Sequence, residues 1–218
     1  MILAAKCAPE ASRLKDIERA GIQAVELFLS KSILKNVSAV IKTCKGFGFK
    51  YAVHAPNDDY NPLVLAELVD SIGSEIVVMH DIYWEDEWLE ISKIFKQLNT
   101  KVCVENISST IEPQKFMRRF DFGRCLDIEH MQFEVCGFFE EEFVNVMKEA
   151  SHIHLTGYSF GSDLWHAPIH HSPEHNGHII SLLNDIGYKG MLVSEAKVSY
   201  QTYEEFKALK LFFNRYQS

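Results

Sequence analysis

Short apolar runs alternate with stretches of helical spacing from one end of the chain to the other. The runs predict strands near residues 2–7, 23–28, 50–54, 75–80, 101–106, 123–127, 151–156 and 190–195. Helices are predicted between them, near 9–20, 32–46, 61–72, 85–98, 111–119, 138–150, 176–186 and 202–215. The helical assignments rest on apolar residues three and four apart, such as Ile33, Val37, Val40 and Ile41, or Phe143, Val146 and Met147. Pro9, Pro62 and Pro113 fall near predicted helix starts, where a missing amide proton is tolerated. Gly21, Gly73 and Gly187 follow predicted helix ends, where a left-handed residue closes the last turn.

Strict alternation of strand and helix implies a parallel sheet with right-handed crossovers. Eight repeats of that unit favour a closed (β/α)8 barrel of the α/β class over an open sheet. No linker or low-complexity tract divides the 218 residues, so 1–218 reads as a single barrel domain. Most connections must be short. The exception is 157–175, GYSFGSDLWHAPIHHSPEH, a length more often functional than idle.

Composition narrows the choice of partners. The net charge of −8 argues against a chain that neutralises nucleic-acid phosphates and favours a small-molecule substrate. No apolar run is long enough to span a membrane, and the start is charged too early for a signal peptide. Five scattered cysteines without a CxxC pair suggest reduced thiols and a cytoplasmic setting. The oligomeric state is open.

Polar residues close six of the apolar runs: His54, His80, Glu105, Asp127, His154 and Glu195. The first five are 22 to 27 residues apart and the last follows after 41, a spacing that suits successive βα units. In a parallel barrel the carboxyl ends of the strands meet at one mouth, where active sites lie. Crowded carboxylates there repel unless they take up protons or a cation. A mixed nitrogen and oxygen donor set suits Zn, Mn or Co, as one or two ions. His152 shares a face with His154, and the one nearer the strand end is the candidate ligand.

The segments YAVHAP, IVVMHD, VCVENIS, CLDIEHM, HIHLTG and LVSEAK resemble the xylose isomerase-like TIM-barrel superfamily. That group takes in sugar isomerases and epimerases as well as endonuclease IV-type nucleases. The resemblance implies one metal held by Glu105, Asp127, His154 and Glu195, with Glu105 and Glu195 also moving the proton next to a substrate carbonyl through an enediolate. It implies substrate contacts for His130 and Glu26, and for His170 or His171 in a loosely matching HAPIHHSPEHNG segment. His54 and His80 resemble ligands of a fuller nuclease site, or else bond substrate directly. The third nuclease site needs an Asp two residues before His170, where this chain has Pro168.

Two further residues are candidates by position alone. Trp84 either walls the substrate site or packs as an ordinary aromatic, and Lys197 either binds an anionic group or is a solvated loop lysine. The expected function is a metal-dependent sugar or sugar-derivative isomerase or epimerase with a small polyhydroxy substrate. The alternatives are a metal-dependent phosphodiester hydrolase of endonuclease IV type, and a non-catalytic barrel that binds a metal or ligand.

Overall fold

The computed structural model describes residues 1–136 and 141–216. Eight parallel strands close in sequence order, β1 (Ile2–Cys7), β2 (Ala24–Phe28), β3 (Lys50–His54), β4 (Ile76–His80), β5 (Lys101–Glu105), β6 (Gly123–Asp127), β7 (Ala150–Leu155) and β8 (Met191–Ser194). β8 pairs back onto β1, so no sheet edge is left open. The fold is a (β/α)8 TIM barrel.

Alternation along each strand separates two cores. One side faces the barrel axis and is filled low down by small residues, among them Ala4, Ala24, Ala52, Val78, Cys103, Cys125 and Val193. The other side, including Val25, Leu27, Val53, Val77, Val104, Leu126, Ile153 and Leu192, packs beneath the helices. The same parity carries Lys6 with Ala4, Glu26 with Ala24, His54 with Ala52 and Glu105 with Cys103. Inward-facing positions thus turn from small and apolar to charged as each strand reaches its carboxyl end.

Ten helices surround the sheet among the described residues: α1 (Ala11–Arg19), α2 (Lys31–Leu34), α3 (Val37–Cys44), α4 (Pro62–Ser71), α5 (Glu85–Phe95), α6 (Pro113–Phe120), α7 (Ile128–Glu134), α8 (Glu141–Glu149), α9 (Pro173–Asp185) and α10 (Tyr203–Asn214). Pro62 and Pro113 open α4 and α6 as expected. Gly21, Gly73 and Gly187 have φ of 78°, 64° and 72°, the left-handed geometry anticipated after helices.

Two elements depart from the sequence reading. The helix predicted over 32–46 is broken at Asn36 (φ −127°, ψ 52°) into α2 and α3. Helix α7 begins directly at the end of β6, because the Asp127 side chain accepts the His130 amide and caps it. The predicted helix 138–150 is observed as α8, and its residues 138–140 lie outside the described ones.

The long connection after β7 is anchored to the barrel. The Gly157 amide donates to Ala167 O at 2.7 Å, and Asn176 Nδ2 donates to Thr156 O and Ile169 O at 2.8 and 2.7 Å. A Cβ at position 157 would stand 2.6 Å from Pro168 O, so only glycine permits this approach. No helix among the described residues is long and apolar enough to cross a membrane. Cys7, Cys44, Cys103 and Cys125 are buried free thiols, and Cys136 is an exposed one.

Candidate metal centre

The six strand-end residues meet at the mouth around two shared groups, His154 and Glu105. His154 Nδ1 lies 2.8 Å from Glu195 Oε2, 3.1 Å from Glu105 Oε1 and 3.8 Å from Asp127 Oδ2. One ring nitrogen carries at most one proton, so it cannot satisfy three carboxylates at once. One ligand atom from each of Glu105, Asp127, His154 and Glu195 lies within 4.8 Å of the other three. Three carboxylates and an imidazole at that spacing fit a divalent cation with oxygen and nitrogen bonds near 2 Å.

A second donor set shares Glu105. His54 Nε2 and His80 Nε2 stand 2.9 and 3.1 Å from Glu105 Oε2, and their rings meet edge to face. Glu105 therefore faces His154 with one oxygen and His54 and His80 with the other.

The opposite nitrogen of His154 shows how the ring is aimed. His154 Nε2 is 2.9 Å from Glu26 Oε2, which is also 2.7 Å from His152 Nε2. A carboxylate behind a histidine orients the ring and raises its basicity toward a metal. Glu26 is fully buried and sits behind His154, a different place from the substrate contact that the family resemblance implied. Its charge is matched by Lys6, whose Nζ lies 3.2 Å from Glu26 Oε1 and 2.7 Å from Glu195 Oε1.

Asp127 is held from its backbone side. Asn106 Nδ2 donates to Asp127 O at 3.0 Å, and Asn106 Oδ1 accepts the Asp127 amide at 2.8 Å. Oδ1 of Asp127 accepts the His130 amide at 2.7 Å, while Oδ2 is the oxygen nearer His154. The three-residue spacing of Asp127 and His130 is thus that of a helix cap and the residue it caps. The His130 ring is placed beside the centre by a 2.9 Å bond between its Nδ1 and Asn106 O.

Burial and charge act against each other throughout the site. Burial would raise Glu26, Glu105 and Glu195, yet nearby cations hold all three below the usual carboxylate range. For Glu26 and Glu105 the leading cation is His154, and for Glu195 it is Lys6. Burial likewise dominates at Asp127, where Glu105 and Glu195 add to it against His130, and the carboxyl is pushed up to about 7. Burial opposes charge on His154, but Cys125, Glu26 and Glu105 outweigh it and raise the imidazole well above its ordinary value. Lys6 is raised too, because Glu195, Glu26 and Glu105 overcome the effect of burial. Without a cation the cluster is thus held together by protons that a metal would displace.

Other expected site residues are placed elsewhere. His170 and His171 turn toward Glu205 of α10, each 3.0 Å from its Oε2. Trp84 is 80% exposed at the start of α5, whereas Trp88 is fully buried in the helical shell. The Lys197 side chain is exposed, and its amide donates to His166 O at 2.8 Å. A cleft of about 840 Å³ beside Glu75, Lys101 and Arg119 lies at the amino-terminal starts of β4 and β5, away from the donors.

Sequence reasoning missed Lys6 and Asn106. Lys6 could have been found by parity, since it is a lone charge on the Ile2 and Ala4 face of an apolar strand. Asn106 follows Glu105 directly, but its clamp on Asp127 spans 21 residues and has no local signature.

No protein-family model matches the chain, nor does any curated protein sequence. Solved structures do match. A 3-keto-D-glucoside 4-epimerase from E. coli superimposes with a TM-score of 0.65 at 13% identity, covering 97% of this chain and 98% of that one. A D-allulose 3-epimerase from Methylomonas sp. gives 0.66 at 12%, covering 99% and 97%. Both of these neighbours are named as sugar epimerases. A phosphoribosyl anthranilate isomerase from Thermus thermophilus gives 0.61 at 11%, covering 99% of each chain. At these identities the likeness establishes the barrel, and the choice of chemistry rests on the mouth.

Proposed function

We propose that the chain is a divalent-metal-dependent isomerase or epimerase of a small sugar or sugar derivative. The observation that carries this reading is the convergence of Glu105, Asp127, His154 and Glu195 on one point at the barrel mouth. A divalent cation there would polarise adjacent oxygens of a hydroxy-carbonyl compound and favour loss of the proton between them. Glu26 would hold the His154 ring in its ligating orientation, and Asn106 would hold Asp127. Glu195 and Glu105 are the carboxylates assigned to remove and return the proton. Lys6, engaged by Glu26 and Glu195, is not free to bind a phosphate, which favours an uncharged substrate. The two structural neighbours named as sugar epimerases support the same reading.

The test is turnover of a panel of unphosphorylated ketoses and aldoses by chelator-treated protein, before and after addition of Mn²⁺, Co²⁺ or Zn²⁺. Metal-restored interconversion of one epimeric or isomeric pair is the expected result. Uptake of metal without turnover on any panel member would instead favour a non-catalytic barrel.

The second donor set, His54, His80 and Glu105, supports one other reading, a two-ion phosphodiester hydrolase. That reading expects cleavage of abasic DNA with Zn²⁺ at low salt. Pro168, in place of an acidic ligand, and the turn of His170 toward Glu205 weigh against a full three-ion site.

A further inference from the structure

A separate group of donors lies outside the mouth, where the long β7–α9 connection meets α10. His170 and His171 end a short 3-10 turn (Ile169–His171), and Glu205 lies in the first turn of α10. Both Nε2 atoms stand 3.0 Å from the same carboxylate oxygen, and ligand atoms from all three residues lie within 4.8 Å of one another. None of the three belongs to either donor set at the mouth.

The surroundings fix these side chains in advance. The His171 amide donates to Pro168 O at 3.0 Å, and Ser172 Oγ donates to Gly157 O. The His171 ring packs edge-on against Tyr200, with centroids 5.2 Å apart. Glu205 is positioned by its own amide, which donates to Thr202 Oγ1 at 3.3 Å as part of the α10 cap. Donors already ordered by folding lose little freedom on binding an ion.

Exposure is intermediate, at 14% for His170, 26% for His171 and 30% for Glu205. The cluster is therefore dry enough to strengthen attraction to a cation yet open to its entry. Two imidazoles and one carboxylate make a three-ligand set with room for water in a fourth position. The nitrogen-rich character selects Zn²⁺ or Co²⁺ over Mg²⁺ and Ca²⁺.

We propose that His170, His171 and Glu205 form a rim site for a Zn²⁺-class ion, which fastens the β7–α9 connection to α10. The simpler arrangement, two N–H groups donating to one carboxylate oxygen, joins the same elements by hydrogen bonds alone. The two differ in what a metal does to the protein. The rim site stands apart from the mouth and does not depend on the function proposed for it.

The experiment is a Co²⁺ titration of chelator-treated full-length protein, followed by visible absorption and by hydrogen exchange of residues 157–172. Four proteins are compared: wild type, Glu205→Gln, His170→Asn/His171→Asn, and the mouth variant Asp127→Asn/Glu195→Gln. The mouth variant should still bind the rim ion saturably, with protection of 157–172 increasing as it binds. Glu205→Gln and the double histidine variant should each bind one equivalent less than wild type and lose that metal-induced protection. Glu205→Gln preserves side-chain size, and unchanged circular dichroism confirms folding of both variants. Equal stoichiometry and affinity in wild type and both rim variants would overturn the site, as would non-saturable uptake by the mouth variant. Should the mouth variant not fold, the comparison of wild type with the two rim variants decides alone.

Discussion

Replacing Lys6 with methionine tests the charge balance beneath the candidate metal centre. Lys6 is 6% exposed, with its ammonium 2.7 Å from Glu195 and 3.2 Å from fully buried Glu26. Methionine keeps the unbranched stem and removes only the charge. Breaking one side of a buried ion pair costs about 3–5 kcal/mol, because the partner is left charged and poorly solvated. In a chain of this size that corresponds to a melting-point loss on the order of 10 °C. Burial lowers the lysine and the three carboxylates overcome it, so its contribution is complete below the unfolded value of 10.5 and is lost only at higher pH. Glu26 and Glu195 are held below 4.5, so their contribution is present above that value and is lost as acid protonates them in the fold. The Lys6→Met deficit should therefore be full at neutral pH and narrow as the pH falls toward and below 4.5. Denaturant titrations of the chelator-treated protein across pH measure it. Adding Glu26→Gln should recover part of the loss, since the stranded charge is then gone. A Lys6→Met protein within about 0.5 kcal/mol of wild type at neutral pH, or a deficit that grows in acid, would refute the reasoning.

Three other outcomes are expected. Metal affinity should rise with pH through about 7 and go on rising above it, because the Asp127 carboxyl, pushed up to about 7, and the still further raised His154 must both release protons to ligate; calorimetry in buffers of different ionisation heat counts those protons. Glu26→Gln should weaken metal binding by about 10–100-fold through loss of the His154 support, as measured by competition with a chromogenic chelator. Trp88→Ala should cost about 3–5 kcal/mol by opening a cavity in the helical shell, whereas Trp84→Ala, at an exposed site, should change stability by less than about 0.5 kcal/mol in the same denaturation assay.

The barrel and the mouth were legible because both follow from period-two alternation. His54, His80, Glu105 and Asp127 close strands whose inner faces are otherwise small or apolar, so a strand assignment also assigned each side chain to the axis. His154 and Glu195 lie at or just beyond the ends of β7 and β8 and join the same mouth. What escaped the reading depends on contacts distant in sequence. Lys6 meets Glu195 across 189 residues, through the closure of β1 against β8. The placement of Glu26 behind His154 depends on barrel geometry that a strand pattern alone does not contain. The loosely matching HAPIHHSPEHNG segment implied a substrate contact for His170 or His171. The 3-10 turn instead presents both rings to α10, which a run of polar residues in sequence cannot signal. The break at Asn36 was hidden because the apolar spacing continues across it.

The central claim is that this mouth moves a proton next to a substrate carbonyl. The direct measurement is solvent-deuterium exchange, in which metal-loaded protein is incubated with a ketose panel in D₂O and the carbon next to the carbonyl is followed by NMR. Wild type should introduce deuterium at that carbon in at least one sugar, and Glu195→Gln should abolish the exchange even when metal is supplied at a concentration that saturates the variant's mouth. Stoichiometric metal at the mouth with no exchange in any sugar, or exchange that persists undiminished in Glu195→Gln, would contradict the account.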